Sequence, residues 1–160
     1  MARRKSVNFV RVITPDVRYQ SSDVHKLINL VMWRGKKNAA RTIVYEAIDM
    51  LVKKAEGDEQ KALRMFAKAM ENITPTVEVR PRRVGGSVYQ IPAEVAPARA
   101  RSLAYRWLIS SASSRNDERM GLRLGYELLE ALEGRGAAIK KRQDVHRMAE
   151  SNRAFSHLSW

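Results

Sequence analysis

The sequence of 160 residues has no cysteine, only three histidines and no long apolar run. Without thiols the chain forms neither disulfides nor thiolate metal sites, which suits a reducing cytoplasm. No apolar stretch approaches the ~18 residues that a membrane-spanning helix needs. The charged residues 1–5 are not followed by an apolar segment, so we do not expect a secretory signal. We expect a cytoplasmic protein without a membrane partner.

Catalytic and metal-binding motifs are also missing. His25, His146 and His157 are far apart in the chain and form no i,i+4 pair, so a metal site has little support. The pair Gly85-Gly86 lies in a turn between two strand-like segments, whereas a phosphate-binding loop joins a strand to a helix. Carboxylates occur along helices in patterns typical of a solvated face. We predict a protein that is not an enzyme and has no cofactor.

Acidic residues are scarce relative to basic ones. The chain has 17 acidic and 30 basic residues, a formal net charge of +13. Such an excess destabilises a compact domain by repulsion. Nucleic acid is the usual reason to carry it, because each neutralised phosphate releases a counterion. Binding to a membrane surface is less favoured, because the cations are scattered and no lipidation motif is present.

Apolar residues recur with a helical period over most of the chain and predict an all-α fold. We expect six helices in a single domain spanning residues 1–160, joined by short connections. The first helix should be capped by Ser21 or Ser22 and stop at Gly35, and the third should be capped by Asp58. The other helices are expected at about 38–55, 97–112, 117–133 and 137–152. The third helix should bury Leu63, Phe66, Ala67 and Met70, and the sixth Val145, Met148 and Ala149. Residues 1–20 should form a flexible basic arm, and residues 153–160 a tail without a clear period.

The segment 75–92 alternates like a β-hairpin, and we place it between the third and fourth helices. Val77 and Val79 share one face, and Pro92 should end the second strand. Gly85-Gly86 supplies the positive φ angles that a two-residue reversal requires. A lone two-stranded ribbon is marginal in water unless it packs on something else. Because three arginines cluster near its bend, the ribbon is predicted to reach toward a polyanion.

Basic residues form five groups, three of which fall at element boundaries or the hairpin tip, where backbone amides and cations can meet phosphates together. The groups are Arg3/Arg4/Lys5/Arg11, Arg34/Lys36/Lys37/Arg41, Arg80/Arg82/Arg83, Arg99/Arg101/Arg106 and Arg135/Lys140/Lys141/Arg142. Five aromatic residues are candidates for base stacking: Trp33, Tyr89, Trp107, Phe155 and Trp160. Trp107 lies on an apolar stripe, which favours a core position for it.

Several segments resemble the bacterial type of the ribosomal protein seven family of the small subunit. They are Gly35-Lys36-Lys37 leading into Ile43-Val44, the hairpin 77–92, the segment 103–108, and the ending 148–155. The similarity covers about residues 3–160, and the hairpin is highly specific. One departure is Arg34, which stands where family members often have an acidic residue.

The resemblance implies a helical bundle with a protruding ribbon that binds the 3′ major domain of the small-subunit ribosomal RNA and nucleates assembly of the head. It also implies that the ribbon and sixth helix lie near the messenger RNA exit path and the exit-site transfer RNA. The tail would approach ribosomal protein eleven. Some members repress their own messenger RNA, and this stays open here. The residues expected to face ribosomal RNA are Arg3, Arg4, Lys5, Arg11, Lys36, Lys37, Arg41, Arg99, Arg101 and Arg115. Those expected near messenger and transfer RNA are Arg80, Arg82, Arg83, Tyr89, Lys140, Lys141 and Arg142.

Two other classes of protein remain as alternatives. An architectural DNA-binding protein could use the ribbon as a minor-groove arm with Pro81 as a wedge. That function needs a dimer, or at least two such ribbon arms, to hold bent DNA. The sequence offers one ribbon and no obvious dimer interface. An RNA-modifying enzyme would need a catalytic set or a cofactor loop, and neither is evident.

Overall fold

The structure is a computed structural model that describes residues 14–158. It confirms the prediction of six helices with one antiparallel hairpin between the third and the fourth. The elements in chain order are α1 (Ser22–Val31), α2 (Lys37–Lys54), α3 (Glu59–Ile73), β1 (Val77–Val84), β2 (Ser87–Glu94), α4 (Pro97–Ser113), α5 (Met120–Leu132), α6 (Ala137–Ser151) and a 3₁₀ helix (Arg153–Leu158). The basic positions Arg3, Arg4, Lys5 and Arg11 lie outside the described residues.

Helix starts follow local capping chemistry. The Ser21 hydroxyl accepts a hydrogen bond from the backbone N–H of Val24 at 3.4 Å, at the start of α1. Asp58 caps α3 by accepting hydrogen bonds from the backbone N–H groups of Gln60 at 2.8 Å and Lys61 at 3.0 Å. Pro97 occupies the first position of α4, where a helix tolerates a missing N–H. These three starts therefore need no tertiary contact to be recognised.

The core forms around α5, which packs against α2, α3 and α4. Two glycines let α5 approach α2 closely. A Cβ at Gly121 would lie 2.9 Å from the Cβ of Glu46, and one at Gly125 would lie 2.3 Å from the sulfur of Met50. The residues that fill this core with no more than 2% exposure include Leu27, Ile28, Ile48, Leu51, Phe66, Leu108, Leu124 and Leu128.

The inward faces of α3 and α6 differ from the prediction. Helix α3 buries Ala62, Phe66, Ala69 and Ile73, whereas Ala67 is exposed. Apolar residues cover more than one face of α3, so periodicity alone did not select the buried one, and the small Ala62 and Ala69 pack most closely. On α6, Met148 is 47% exposed while Ala149 is buried.

The ribbon has a two-residue turn in which Gly85 and Gly86 have φ angles of +57° and +88°. This matches the predicted turn. Strand β2 continues past Pro92 to Glu94, so the expectation that Pro92 ends the strand is wrong. A two-stranded sheet has only edge strands, and proline is tolerated there. Both strands pack on α6, and Ile91 is 1% exposed, so the base of the ribbon belongs to the core of the protein.

We expect Gly121→Ala to lower the free energy of unfolding by about 1–3 kcal/mol, because the new methyl group overlaps the Cβ of Glu46, which moves only with the backbone of α2. Helix propensity alone would make the same change stabilising by about 1 kcal/mol. The sign of the change in the free energy of unfolding therefore shows which effect is larger, the steric overlap or the helix propensity. Urea unfolding with an unaltered m value measures it. A stabilised variant would show that the close approach of the two helices is not tight.

Candidate nucleic-acid interface

The segment that precedes α1 is fixed to α2 by a polar network. Asp16 is 3% exposed and accepts hydrogen bonds from the Tyr45 hydroxyl at 3.0 Å and from the backbone N–H of Arg18 at 3.0 Å. The Tyr19 hydroxyl donates to Asp49 at 2.9 Å, and Arg18 forms an ion pair with the same carboxylate at 2.8 Å. Burial and the neighbouring Asp49 raise the pKa of Tyr19 above its usual range. The root of the basic arm is therefore anchored.

The cations predicted around the loop between α1 and α2 lie together at the start of α2. Lys36 is exposed and is the N-cap residue. The ammonium nitrogen of Lys37 lies 3.0 Å from Nε2 of His25. Arg41 is half-buried, and its Nε has no hydrogen-bond partner within the described residues. Because α2 has neither an acidic residue in its first turn nor a side-chain cap, its positive end adds to the field of these cations.

Arg99 and Arg101 occupy the first turns of α4 and are exposed. Arg101 borders a cavity of about 300 Å³ that lies between α1, α3 and α4. Tyr105 closes one side of this cavity and donates to the Asp23 carboxylate at 3.1 Å. Burial and then Asp23 raise the pKa of Tyr105, so its hydroxyl stays a donor.

Glu78 joins the ribbon to α4 and was not recognised as a site residue from the sequence. Its carboxylate accepts from Nε of Arg80 at 2.6 Å and from Nε of Arg99 at 2.8 Å, while the side chain itself is 9% exposed. Burial tends to raise the pKa of Glu78, but the hydrogen bonds from Arg99 and Arg80 outweigh it and lower the pKa overall. Both guanidiniums remain about half exposed. One buried anion therefore orients two predicted RNA ligands.

Arg115, another predicted ligand of ribosomal RNA, faces a structural partner instead. Its side chain is 21% exposed, its Nε donates to Glu127 at 2.9 Å, and it also pairs with Glu130. Glu127 is fully buried and accepts from the backbone N–H of Ala138 at 2.8 Å, which caps α6. Arg115 thus links the end of α4 to α5 and α6, and an RNA contact by it remains a prediction.

The ribbon, α6 and the 3₁₀ helix form one continuous surface. The ring of Tyr89 packs on that of Phe155 with centroids 4.9 Å apart. Nε2 of His146 accepts a hydrogen bond from the backbone N–H of Thr76 at 3.3 Å. Burial, and to a lesser extent the positive charge of Arg142, lowers the pKa of His146, which favours the neutral form that accepts this bond. Arg142 donates to the carbonyl oxygen of Asn72. The remaining predicted cations of this surface, Arg82, Arg83, Lys140 and Lys141, are exposed.

A helical bundle with an arginine-bearing ribbon and exposed cations near the ends of its elements is typical of the class of proteins that bind nucleic acid. Comparison with known proteins narrows the class. The family described as "Ribosomal protein S7p/S5e" matches residues 2–153, and the chain belongs to that family. It is a structural constituent of the small ribosomal subunit, in the cytoplasm, and the family is not enzymatic. The prediction of a ribosomal protein that is not an enzyme is confirmed.

Known relatives match this chain over all or nearly all of its length. The chain is 48% identical over 160 residues to "Small ribosomal subunit protein uS7" of Blochmanniella floridana, with 100% of both chains covered. It is 51% identical over 150 residues to the protein of that name from Parvibaculum lavamentivorans, with 94% of each chain covered. The Buchnera aphidicola protein is 49% identical over 160 residues, again with 100% of both chains covered. Among the described helices, none is long and apolar enough to cross a membrane.

We expect Glu78→Gln to lower the free energy of unfolding at neutral pH by about 1–2 kcal/mol, because it removes the charge that two arginines share. The pKa of Glu78 in the folded protein lies below the ordinary value of 4.5. This stabilisation is therefore present above pH 4.5 and is lost as the pH falls through the folded pKa. The difference between wild type and variant should therefore shrink toward zero in acid. Urea unfolding across this pH range measures it, with Glu94→Gln on the exposed end of β2 as the control. A difference that stays constant in acid would contradict the charged role of Glu78.

Proposed function

We propose that the chain is a primary binder of the 3′ major domain of small-subunit ribosomal RNA and that this binding nucleates assembly of the head. One observation carries the proposal. Within residues 14–158, several exposed cations at or near the ends of elements form no ion pair with a carboxylate and so can attract an external anion, whereas others, such as Arg99 and Arg115, are paired. The cations without such a pair include Lys36, Arg83, Arg101, Lys140 and Lys141.

The proposed mechanism is phosphate clamping over an RNA fold that is already shaped. Lys36, Lys37 and Arg41 add to the positive end of α2, and Arg99 and Arg101 lie in the first turns of α4. Phosphate contacts fix register and orientation and do not read sequence. Double-stranded RNA is recognised mostly by shape, so selectivity would come from the spacing of these groups of cations.

The ribbon and α6 support a second proposed surface, for messenger RNA near its exit path and for exit-site transfer RNA. This surface carries Arg82 and Arg83 near the turn of the ribbon and Lys140 and Lys141 on α6. Its rigidity rests on the Glu78 ion pairs and on the ring contact between Tyr89 and Phe155. The 3₁₀ helix beside it would approach ribosomal protein eleven. Repression of its own messenger RNA would use the surface that binds ribosomal RNA, provided the messenger presents a similar fold.

Reversal of charge at the start of α2 tests the first surface. The triple variant Lys36→Glu, Lys37→Glu, Arg41→Glu should bind a fragment of the 3′ major domain at least about 100-fold more weakly, and the slope of log affinity against log salt should fall by about 2–3. Filter binding at several salt concentrations measures both values.

A matched triple variant isolates position from net charge. Lys53→Glu, Lys61→Glu and Arg64→Glu change the charge equally at exposed positions of α2 and α3, and they should leave most of the affinity intact. Equal losses in the two triples would show that net charge alone, and no particular surface, holds the RNA. Unchanged affinity in the first triple would remove the start of α2 from the interface.

A further inference from the structure

The most exposed aromatic ring of the described residues is Trp33, in the loop between α1 and α2. Its side chain is 74% exposed, and Leu30, one turn earlier, is 44% exposed. Tyr89 packs on Phe155, and Trp107 packs partly against the core. An indole left in water forgoes the large apolar burial that makes tryptophan useful in a core. Trp33 therefore offers a flat apolar face to another molecule.

Hydrogen bonds fix the backbone of this loop. The backbone N–H of Lys36 donates to the carbonyl oxygen of Trp33 at 3.1 Å, and that of Lys37 donates to the carbonyl of Gly35 at 2.8 Å. Arg34 and Gly35 have φ angles of +52° and +75°. Arginine rarely adopts a positive φ, and strained backbone of this kind clusters at binding sites. The turn thus places Trp33 close in sequence to two exposed cations, Arg34 and Lys36.

The charges around Trp33 select the kind of ligand. Neither Arg34 nor Lys36 forms an ion pair with a carboxylate within residues 14–158, and α2 has no acid in its first turn. Tryptophan and arginine are enriched in protein–protein interfaces but lysine is depleted there, so Lys36 is the residue that argues against a protein partner. An aromatic ring beside unpaired cations is instead the arrangement that binds single-stranded nucleic acid, in which bases stack and phosphates lie close by.

We propose that Trp33 stacks on an unpaired base of the ribosomal RNA while Arg34 and Lys36 contact the phosphates on either side of it. This proposal rests on the RNA-binding function proposed above. Stacking adds a requirement to the recognition of RNA shape and phosphate charge. An unpaired base must be present at one position of the RNA fold. The loop would then require a bulged or looped nucleotide in the site, and not only an A-form groove.

The test compares Trp33→Ala and Trp33→Phe with wild type for binding to a fragment of the 3′ major domain. We expect Trp33→Ala to weaken binding about 5- to 150-fold, the range that loss of one stacked base produces. Trp33→Phe should retain most of the affinity. The salt slope should stay unchanged in both variants, because no phosphate contact is lost. Tyr126→Ala, which removes a 42% exposed aromatic ring from α5, is the matched control and should have no effect.

A second measurement identifies the base. Single abasic substitutions at the unpaired nucleotides of the fragment should include one that weakens wild type but not Trp33→Ala, because both changes remove the same contact. In a variant with Trp107→Phe and Trp160→Phe, RNA should quench the fluorescence of the remaining indole. Trp33 fluorescence that shifts only when another ribosomal protein is added would overturn the proposal in favour of a protein contact.

The outcomes separate this proposal from the function on which it rests. Full affinity in Trp33→Ala, combined with weak binding by the triple variant at Lys36, Lys37 and Arg41, would overturn stacking and leave the RNA surface intact. Full affinity in Trp33→Ala and in the triple variant would overturn the stacking contact and the RNA surface at the start of α2 together.

Discussion

Buried carboxylates need donors, and this requirement organises the parts of the molecule that helix packing does not. Within residues 14–158, three charged side chains are buried, and all three are acids in a chain with a large basic excess. Asp16 ties the segment before α1 to α2, Glu78 ties the ribbon to α4, and Glu127 ties the end of α4 to the start of α6. Each joins segments that are distant in sequence, because a buried charge without a partner would cost several kcal/mol.

The same requirement divides the basic residues into three populations. A largely buried arginine that reaches a buried acid, such as Arg115, becomes a structural element with fixed orientation. Others share a carboxylate while staying half exposed, as Arg80 and Arg99 do, and so keep donors for an external anion. The excess of base over acid guarantees that a third set has no internal partner. Charge imbalance therefore leaves cations without an internal carboxylate, and the positions of the few acids determine which cations these are.

Periodicity and capping residues were sufficient to predict the helices and the ribbon, because those signals are local. Ser21, Asp58 and Gly85-Gly86 act through their immediate neighbours. The role of Glu78 was not predictable, since strand alternation indicates only which side it faces and not that Arg99 lies 2.8 Å away. The tail has no clear period in the sequence, yet its residues Arg153–Leu158 form a 3₁₀ helix that packs on the ribbon. That contact joins residues far apart in sequence, and no local pattern specifies it.

The ring contact between Tyr89 and Phe155 has a consequence for biogenesis. Chains are made from the N-terminus, so the ribbon leaves the exit tunnel well before the residues that brace its flank. Until α6 and the 3₁₀ helix have emerged, the nascent ribbon lacks these two supports. A two-stranded ribbon is marginal alone in water. The arginine-bearing ribbon thus becomes rigid only after residue 158 has been made, and the earlier helices can fold before it.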